Sequence, residues 1–157
     1  KTTGPSSLLF SRQKLAHMPR SAEQIDNIKK GAYVLLDCEG EPEVIVIATG
    51  SEVELTMIIA NKLNAAGQKI RVVSMPATDL FDAQAQSYRD SVLPPACRQR
   101  ISVEAGVTDY WRKYVGLDGK VLGVDSFGES APANDVFEHF GLTAEKLEIM
   151  IKDLTTA

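Results

Sequence analysis

Residues 43–67 read EVIVIATGSEVELTMIIANKLNAAG, and their interpretation decides the fold. Val44 to Ile47 are apolar at four successive positions, so the strand they predict is covered on both faces, as in the middle of a layered sheet. Gly50 interrupts the run, and Ser51 with Glu54 three positions later has the form of a capping box opening a helix. Val53, Met57, Ala60 and Leu63 fall on one face of that helix, and Gly67 supplies its stop. KIRVVSMP, residues 69–76, follows as a second buried strand ended by Pro76. Strand, helix, strand in this order is a βαβ unit with a parallel pair.

Working outward, AYVLLD (32–37) is a further apolar run joined to 43–48 through CEGEP, whose Gly40 and Pro42 suit a tight turn. That spacing predicts a hairpin, with one antiparallel strand beside residues 44–47. Ser21 and Gln24 form another capping box, opening a helix with Ile25 and Ile28 on one face and Gly31 at its end. Downstream the chain predicts a helix over DAQAQSYRDSVLP (82–94), a strand at RISVEAG (100–106) and a short helix in TDYWRKYVG (108–116). A strand at KVLGVD (120–125) and a helix starting with Pro132 at a first-turn position and ending at Gly141 come next. The last helix buries Leu147, Met150, Ile151 and Leu154, spaced i, i+3, i+4, i+7. The expected fold is three-layer α/β: a mostly parallel sheet with one antiparallel strand and helices on both faces.

SSLLFSRQ, residues 6–13, does not fit this scheme. Leu8, Leu9 and Phe10 read as a short strand ending at Arg12, and RQKLAHMPR after it reads as a linker containing Pro19. The expected organisation is therefore residues 1–21 as the terminal strand and linker of a preceding domain, and residues 22–157 as an α/β domain.

The composition narrows the class of function. Of 157 residues, 44% are hydrophobic and 24% charged, as in soluble globular domains. A net charge of -4, with no block of Lys or Arg, argues against a nucleic-acid or anionic-membrane partner. No apolar run is long enough to span a membrane, and KTTGPSS lacks the apolar region of a signal peptide. Cys38 and Cys97 form no C-x-x-C pair and read as reduced thiols of a cytosolic protein.

In open parallel sheets ligands gather at the carboxyl ends of the strands. That edge would carry Gly50-Ser51, Ser74-Met75-Pro76, Glu104-Ala105-Gly106 and DSFGESAP (125–132). The turn at Gly50 could offer backbone N–H groups to an anion, but it has neither G-x-G-x-x-G nor a phosphate-loop lysine, and Glu52 is acidic where a phosphate would lie. A nucleotide- or anion-binding regulatory module, with its ligand around Gly50-Ser51 and Gly106, is the alternative reading. Glu104 and Asp109 could form an acid–base pair, although carboxylates beside helix starts are stabilised without catalysis. Glu129 and Ser130 read as caps of the Pro132 helix. Tyr110, Trp111 and Tyr114 predict an interface cluster. His17 and His139 have no second ligand nearby in sequence and predict no metal site.

Five stretches taken together go further: GPSSLLFSRQ, IATGSEVEL, RVVSMPATDLFD, VEAGVTDYWRKYVG and FGESAPA. In this order and spacing, over nearly the whole chain, they resemble the carboxyl-terminal end of a transketolase, most closely its bacterial form. The resemblance implies a parent enzyme of the pentose phosphate pathway that transfers a two-carbon ketol unit between phosphorylated sugars. It implies a cytoplasmic homodimer using thiamine diphosphate and a divalent metal, magnesium or calcium, held by upstream domains. Residues 1–21 would then end the pyrimidine-binding domain, and Arg12 of the S-R-Q motif would pair with the substrate phosphate, a role suited to a planar, permanently charged guanidinium. The family's diphosphate motif, G-D-G with a later asparagine, has no counterpart here; GLDGK at 116–120 is not it. The domain alone is thus expected to be non-catalytic, to bind no cofactor of its own and to serve the assembly as a brace and interface.

Overall fold

The computed structural model describes residues 4–5, 7–8, 10–11 and 13–156. Among the described residues five strands form one sheet: β1 (Tyr33–Leu36), β2 (Val44–Ala48), β3 (Ile70–Ser74), β4 (Arg100–Val103) and β5 (Lys120–Leu122). Their order is β1-β3-β2-β4-β5; β2 is parallel to β3 and β4, β4 is parallel to β5, and β1 alone is antiparallel. The fully apolar reading of 44–47 holds, because β2 is central and buried at every position.

Two layers cover the sheet, and alternation along β2 assigns each side chain to one of them. Val44, Val46 and Ala48 face a cluster built with α2 (Glu52–Ala65) and α7 (Ala144–Thr155). Within it lie Val53, Ala60 and Leu63 of α2, with Met57 half-buried, and the four α7 residues Leu147, Met150, Ile151 and Leu154. Burying such a side chain is worth roughly 1.5–3 kcal/mol, so the helical spacing of α7 decides its orientation. Thr143 caps α7 by accepting from the Lys146 N–H at 3.2 Å. Ile45 and Ile47 face the other cluster, built with α3 (Thr78–Asp82), α4 (Gln86–Val92) and α5 (Arg112–Val115), the last entered through a 3-10 turn at Asp109–Trp111.

On this second face Arg100 acts as a staple. Its guanidinium donates to the carbonyls of Cys97, Tyr114, Leu93 and Pro94 at 2.9–3.2 Å. It thereby pins the carboxyl ends of α4 and α5 to β4, where carbonyls left over by a helix need donors. Burial lowers its pKa from the ordinary arginine value.

The structure corrects several expectations. β1 does not form a hairpin with β2; it pairs with β3, Tyr33 opposite Ser74 and Leu36 opposite Val72. Residues 37–43 carry the chain across β3, about two strand spacings or ~10 Å. A bidentate pair from Arg71 to Asp37, at 2.8 and 2.9 Å, holds the end of β1 in that place. The helix expected over 82–94 is the shorter α4, and a separate short helix not expected from the sequence, α3, precedes it across Ala83–Ala85. The break allows Phe81 and Tyr88 to meet edge to face, with ring centroids 6.4 Å apart. The Ser21–Gln24 capping box is present in α1 (Ala22–Ile28), but that helix buries none of its residues. Pro132 is the N-cap of α6 (Ala133–His139), one position before the first turn, and no side chain caps that helix, so Glu129 and Ser130 do not.

The strand expected at Leu8–Phe10 falls partly on Ser6, Leu9 and Arg12, outside the described residues. Ser7, Leu8, Phe10 and Ser11 are exposed and belong to no strand. Met18 packs against the first cluster and the Arg20 guanidinium donates to the Tyr33 hydroxyl at 2.7 Å, so residues 18–20 are tied to the sheet. Among the described residues no helix is long and apolar enough to cross a membrane.

Candidate functional site

The sheet order places the crevice. From β2 the chain passes toward β3, and from β4 toward β5, so the two neighbours diverge at their carboxyl ends, where open α/β sheets bind ligands. Thr49–Glu52 follow β2 and Glu104–Gly106 follow β4. Thr49–Glu52, Glu104 and Ala105, with Ile28, Lys29, Pro76, Ala77, Asp79, Leu80 and part of segment 5–11, line a hollow of about 1150 Å³.

Its floor is acidic. Glu52, at the first turn of α2, is only 4% exposed. Burial raises its pKa above the ordinary carboxylate value and the Glu104 charge adds to the rise, while backbone N–H groups including that of Ala105 and the Ser51 hydroxyl partly offset it. The hydroxyl donates to Glu52 Oε1 at 3.2 Å.

This geometry replaces the capping box expected at Ser51 and Glu54. Gly50, at φ +58°, turns the chain directly into helical dihedrals at Ser51 (φ −68°, ψ −27°). A capping hydroxyl needs an extended residue, so Ser51 forms no cap. Glu54 instead accepts from the Ala16 N–H at 3.2 Å, holding residues 13–20 against α2.

The acid–base pair expected from Glu104 and Asp109 is not the pair that forms. Glu104 Oε2 accepts from the Trp111 indole N–H at 2.5 Å, and the neighbouring carboxylate that feels its charge is Glu52. Sequence spacing hid this because Glu52 and Glu104 belong to different strand ends, made adjacent by the order of the sheet. Nothing in either segment alone signals it.

The aromatic cluster divides as well. Trp111 and Tyr114 are 2% and 4% exposed and belong to the second core cluster, so they do not form an interface; Tyr110 alone faces outward, at 55%. The Tyr114 hydroxyl donates to Asp82 at 3.0 Å, and burial together with that carboxylate raises its pKa above the usual tyrosine value. Tyr110 shares a 2.6 Å hydrogen bond with Thr78. His139 lies edge-on to Phe140 and His17 lies beside Gly50 and Ser51. Among the described residues no group of three or more His, Cys, Asp or Glu is placed to hold a metal. Both cysteines are free thiols, their pKa values raised first by burial. Arg12 lies outside the described residues.

Fold and site together define a three-layer α/β domain whose strand-end crevice presents carboxylates, with no nucleophile–base pair among the hydrogen bonds above. Residues 31–143 match the model of the transketolase-like C-terminal domain. Transketolase 1 of Vibrio vulnificus is 58% identical over 151 residues, which is 96% of this chain and 23% of that relative. Transketolase 1 of Vibrio cholerae is 56% identical over 150 residues, with the same coverage. Among solved structures, a transketolase from Leishmania mexicana superposes with a TM-score of 0.78 at 37% identity, over 88% of this chain and 20% of that one. A transketolase from Campylobacter jejuni gives 0.71 at 38% identity, over 80% and 19%. The chain belongs to the transketolase C-terminal domain family, and it spans about a quarter of the length of the curated relatives it matches.

The crevice does not suit the diphosphate of thiamine diphosphate. A diphosphate at the start of α2 would meet the Glu52 and Glu104 carboxylates, and backbone N–H groups there, including that of Ala105, already serve Glu52; among the described residues lining the hollow Lys29 is the one cation against Glu52, Asp79 and Glu104. The same repulsion weighs against a nucleotide- or anion-binding regulatory module.

Proposed function

We propose that this chain is the carboxyl-terminal portion of a thiamine-diphosphate-dependent transketolase that moves a two-carbon ketol unit between phosphorylated sugars. One observation carries the reading: 58% identity over 96% of the chain to a relative named transketolase. In this reading the cofactor and its divalent metal, magnesium or calcium, lie in preceding domains. Residues 1–21 end the pyrimidine-binding domain, the enzyme is a cytoplasmic homodimer, and residues 22–157 brace the assembly without doing chemistry. Arg12 is the one substrate contact, gripping the sugar phosphate bidentately.

The test uses the longer chain that carries this sequence, assayed for two-carbon transfer with thiamine diphosphate and magnesium. Arg12→Ala is expected to raise KM for the sugar phosphate by about tenfold to a hundredfold, since a hydrogen bond to a charged group contributes roughly 1.5–3 kcal/mol. Arg12→Lys should recover part of the loss. An unchanged KM removes Arg12 from the site, and the absence of two-carbon transfer in the longer chain overturns the reading as a whole.

A further inference from the structure

A second hollow opens on the face of the sheet covered by α3, α4 and α5, and it shares no lining residue with the strand-end crevice. Its volume is about 320 Å³, near the lower bound of small-molecule pockets, about 300–1,000 Å³. Phe81, Leu93 and Tyr114 give it an apolar wall. Three cations, Arg89, Arg100 and Lys113, line it against two carboxylates, Asp82 and Asp90. One positive charge is therefore left over, in a chain whose net charge is -4.

The charges are unevenly partnered. Lys113 pairs with Asp82, which also accepts from the Tyr114 hydroxyl at 3.0 Å. Asp90 accepts from the Gln86 amide at 2.6 Å. Among the described residues neither Arg89 nor Arg100 forms an ion pair. Arg100 is turned to backbone carbonyls. Arg89 has only neutral acceptors: the Asp82 carbonyl at 3.3 Å from Nη1 and the Gln86 amide oxygen at 2.6 Å from Nη2. Its Nε–H is buried and has no partner. Buried donors are nearly always bonded, and this one is left unsatisfied by the fold itself.

Nε and Nη2 form one edge of the guanidinium, the fork that grips a carboxylate through two parallel hydrogen bonds. Gln86, an exposed side chain at the start of α4, offers that fork a single oxygen where two belong. We propose that the hollow is a binding site for a small organic monocarboxylate. The ligand carboxylate displaces the Gln86 oxygen and pairs with Arg89 Nε and Nη2, and its apolar body packs on Phe81, Leu93 and Tyr114. Arg100 and Lys113 add long-range attraction. The two aspartates limit the charge of the ligand. One negative charge neutralises the surplus; a phosphate group, at about -1.5 to -2 near pH 7, would leave the hollow negative beside Asp90. The site shares no residue with the two-carbon transfer proposed above and does not depend on it.

Sodium benzoate titrated into the 157-residue chain, followed by calorimetry and by the nitrogen–proton NMR spectrum of the arginine side chains, tests this. Benzoate is expected to bind at one site with a dissociation constant on the order of a millimolar or tighter, given its size. The Arg89 Nε–H signal should shift as the site saturates. Benzyl alcohol, the same ring without the charge, and inorganic phosphate should each bind at least about tenfold more weakly. Arg89→Gln should weaken benzoate at least about tenfold, the scale of a lost charged hydrogen bond. Arg89→Lys should recover only part, because an ammonium lacks the fork. Arg98→Gln, at a guanidinium outside the hollow, should leave the affinity unchanged. Gln86→Ala removes the competing oxygen from an exposed position and should tighten binding. The proposal is overturned by an absence of saturable heat, by equal affinity for benzyl alcohol, or by benzoate binding that survives Arg89→Gln intact. Phosphate binding tighter than benzoate, or a Gln86→Ala variant that binds no better than the parent, overturns it as well.

Discussion

The Trp111 indole N–H donates to Glu104 Oε2 at 2.5 Å, joining the buried aromatic layer beneath α5 to the carboxylate at the end of β4. One side chain thus closes a core cluster and steadies the crevice floor. Trp111→Phe keeps most of the packing and removes the donor, so a partly buried carboxylate loses a partner; about 1–3 kcal/mol of stability should go with it. Trp111→Ala adds a cavity and should cost about 3–5 kcal/mol. Urea unfolding followed by circular dichroism measures both. A negligible loss for Trp111→Phe would mean that the hydrogen bond contributes nothing beyond packing.

Glu52 gives the domain a pH signature of identifiable sign. Its folded pKa is raised, chiefly by burial, so between the ordinary carboxylate value near 4.5 and the raised value the folded state binds more protons than the unfolded state. Glu52 therefore contributes stability that is fully present below the unfolded pKa and is lost as pH rises through the folded one. Glu52→Gln should remove that decline, making the variant relatively more stable at pH 7 than at pH 4. Melting temperatures of both proteins from pH 4 to pH 8 test it, and parallel curves would assign the slope to other groups.

What the sequence made legible was local. The four-residue apolar run of β2, the spacing of α7 and the Ser21–Gln24 box each depend on neighbours within a turn or two, and each is present. The missed Ser51 cap is local, lost because Gly50 carries the chain straight into helical dihedrals; the other errors that follow lie where a long-range choice overrides a local signal. Gly40 and Pro42 favour a turn, but a turn does not state which strand the chain returns to, and β1 crossed β3 to reach an edge. Trp111 and Tyr114 have the composition of an interface, yet the second face of the sheet needed them as its cover. The Glu52–Glu104 neighbourhood depends on strand order, the feature that alternation of elements leaves open. Five motifs in register carried the family assignment, because they constrain the whole chain at once where each residue pattern constrains only its own segment.

Gly31 and Gly67 separate two costs that glycine avoids. Both have nearly the same left-handed backbone, φ +90° and +91°. At Gly67 a Cβ would meet nothing within 4 Å, so Gly67→Ala should cost only the dihedral strain of an L-residue, about 1–2 kcal/mol. At Gly31 a Cβ would lie 2.2 Å from the Ala77 carbonyl oxygen and 2.4 Å from the Phe81 nitrogen, both backbone atoms that cannot rotate away. The same backbone approach carries the hydrogen bond from the Ala77 N–H to Gly31 O at 3.0 Å, which fastens the start of β1 to the entry of α3. Gly31→Ala must displace α3, and with it Phe81 from the second core cluster. Its cost should exceed that of Gly67→Ala by at least about 2 kcal/mol, the scale of an overpacked core. Chemical denaturation of the two variants side by side makes the comparison, with near-ultraviolet dichroism reporting the tyrosine and tryptophan packing around Phe81. Equal losses would show that α3 moves aside freely and that the contact beneath Gly31 is not what holds β1 at the edge of the sheet.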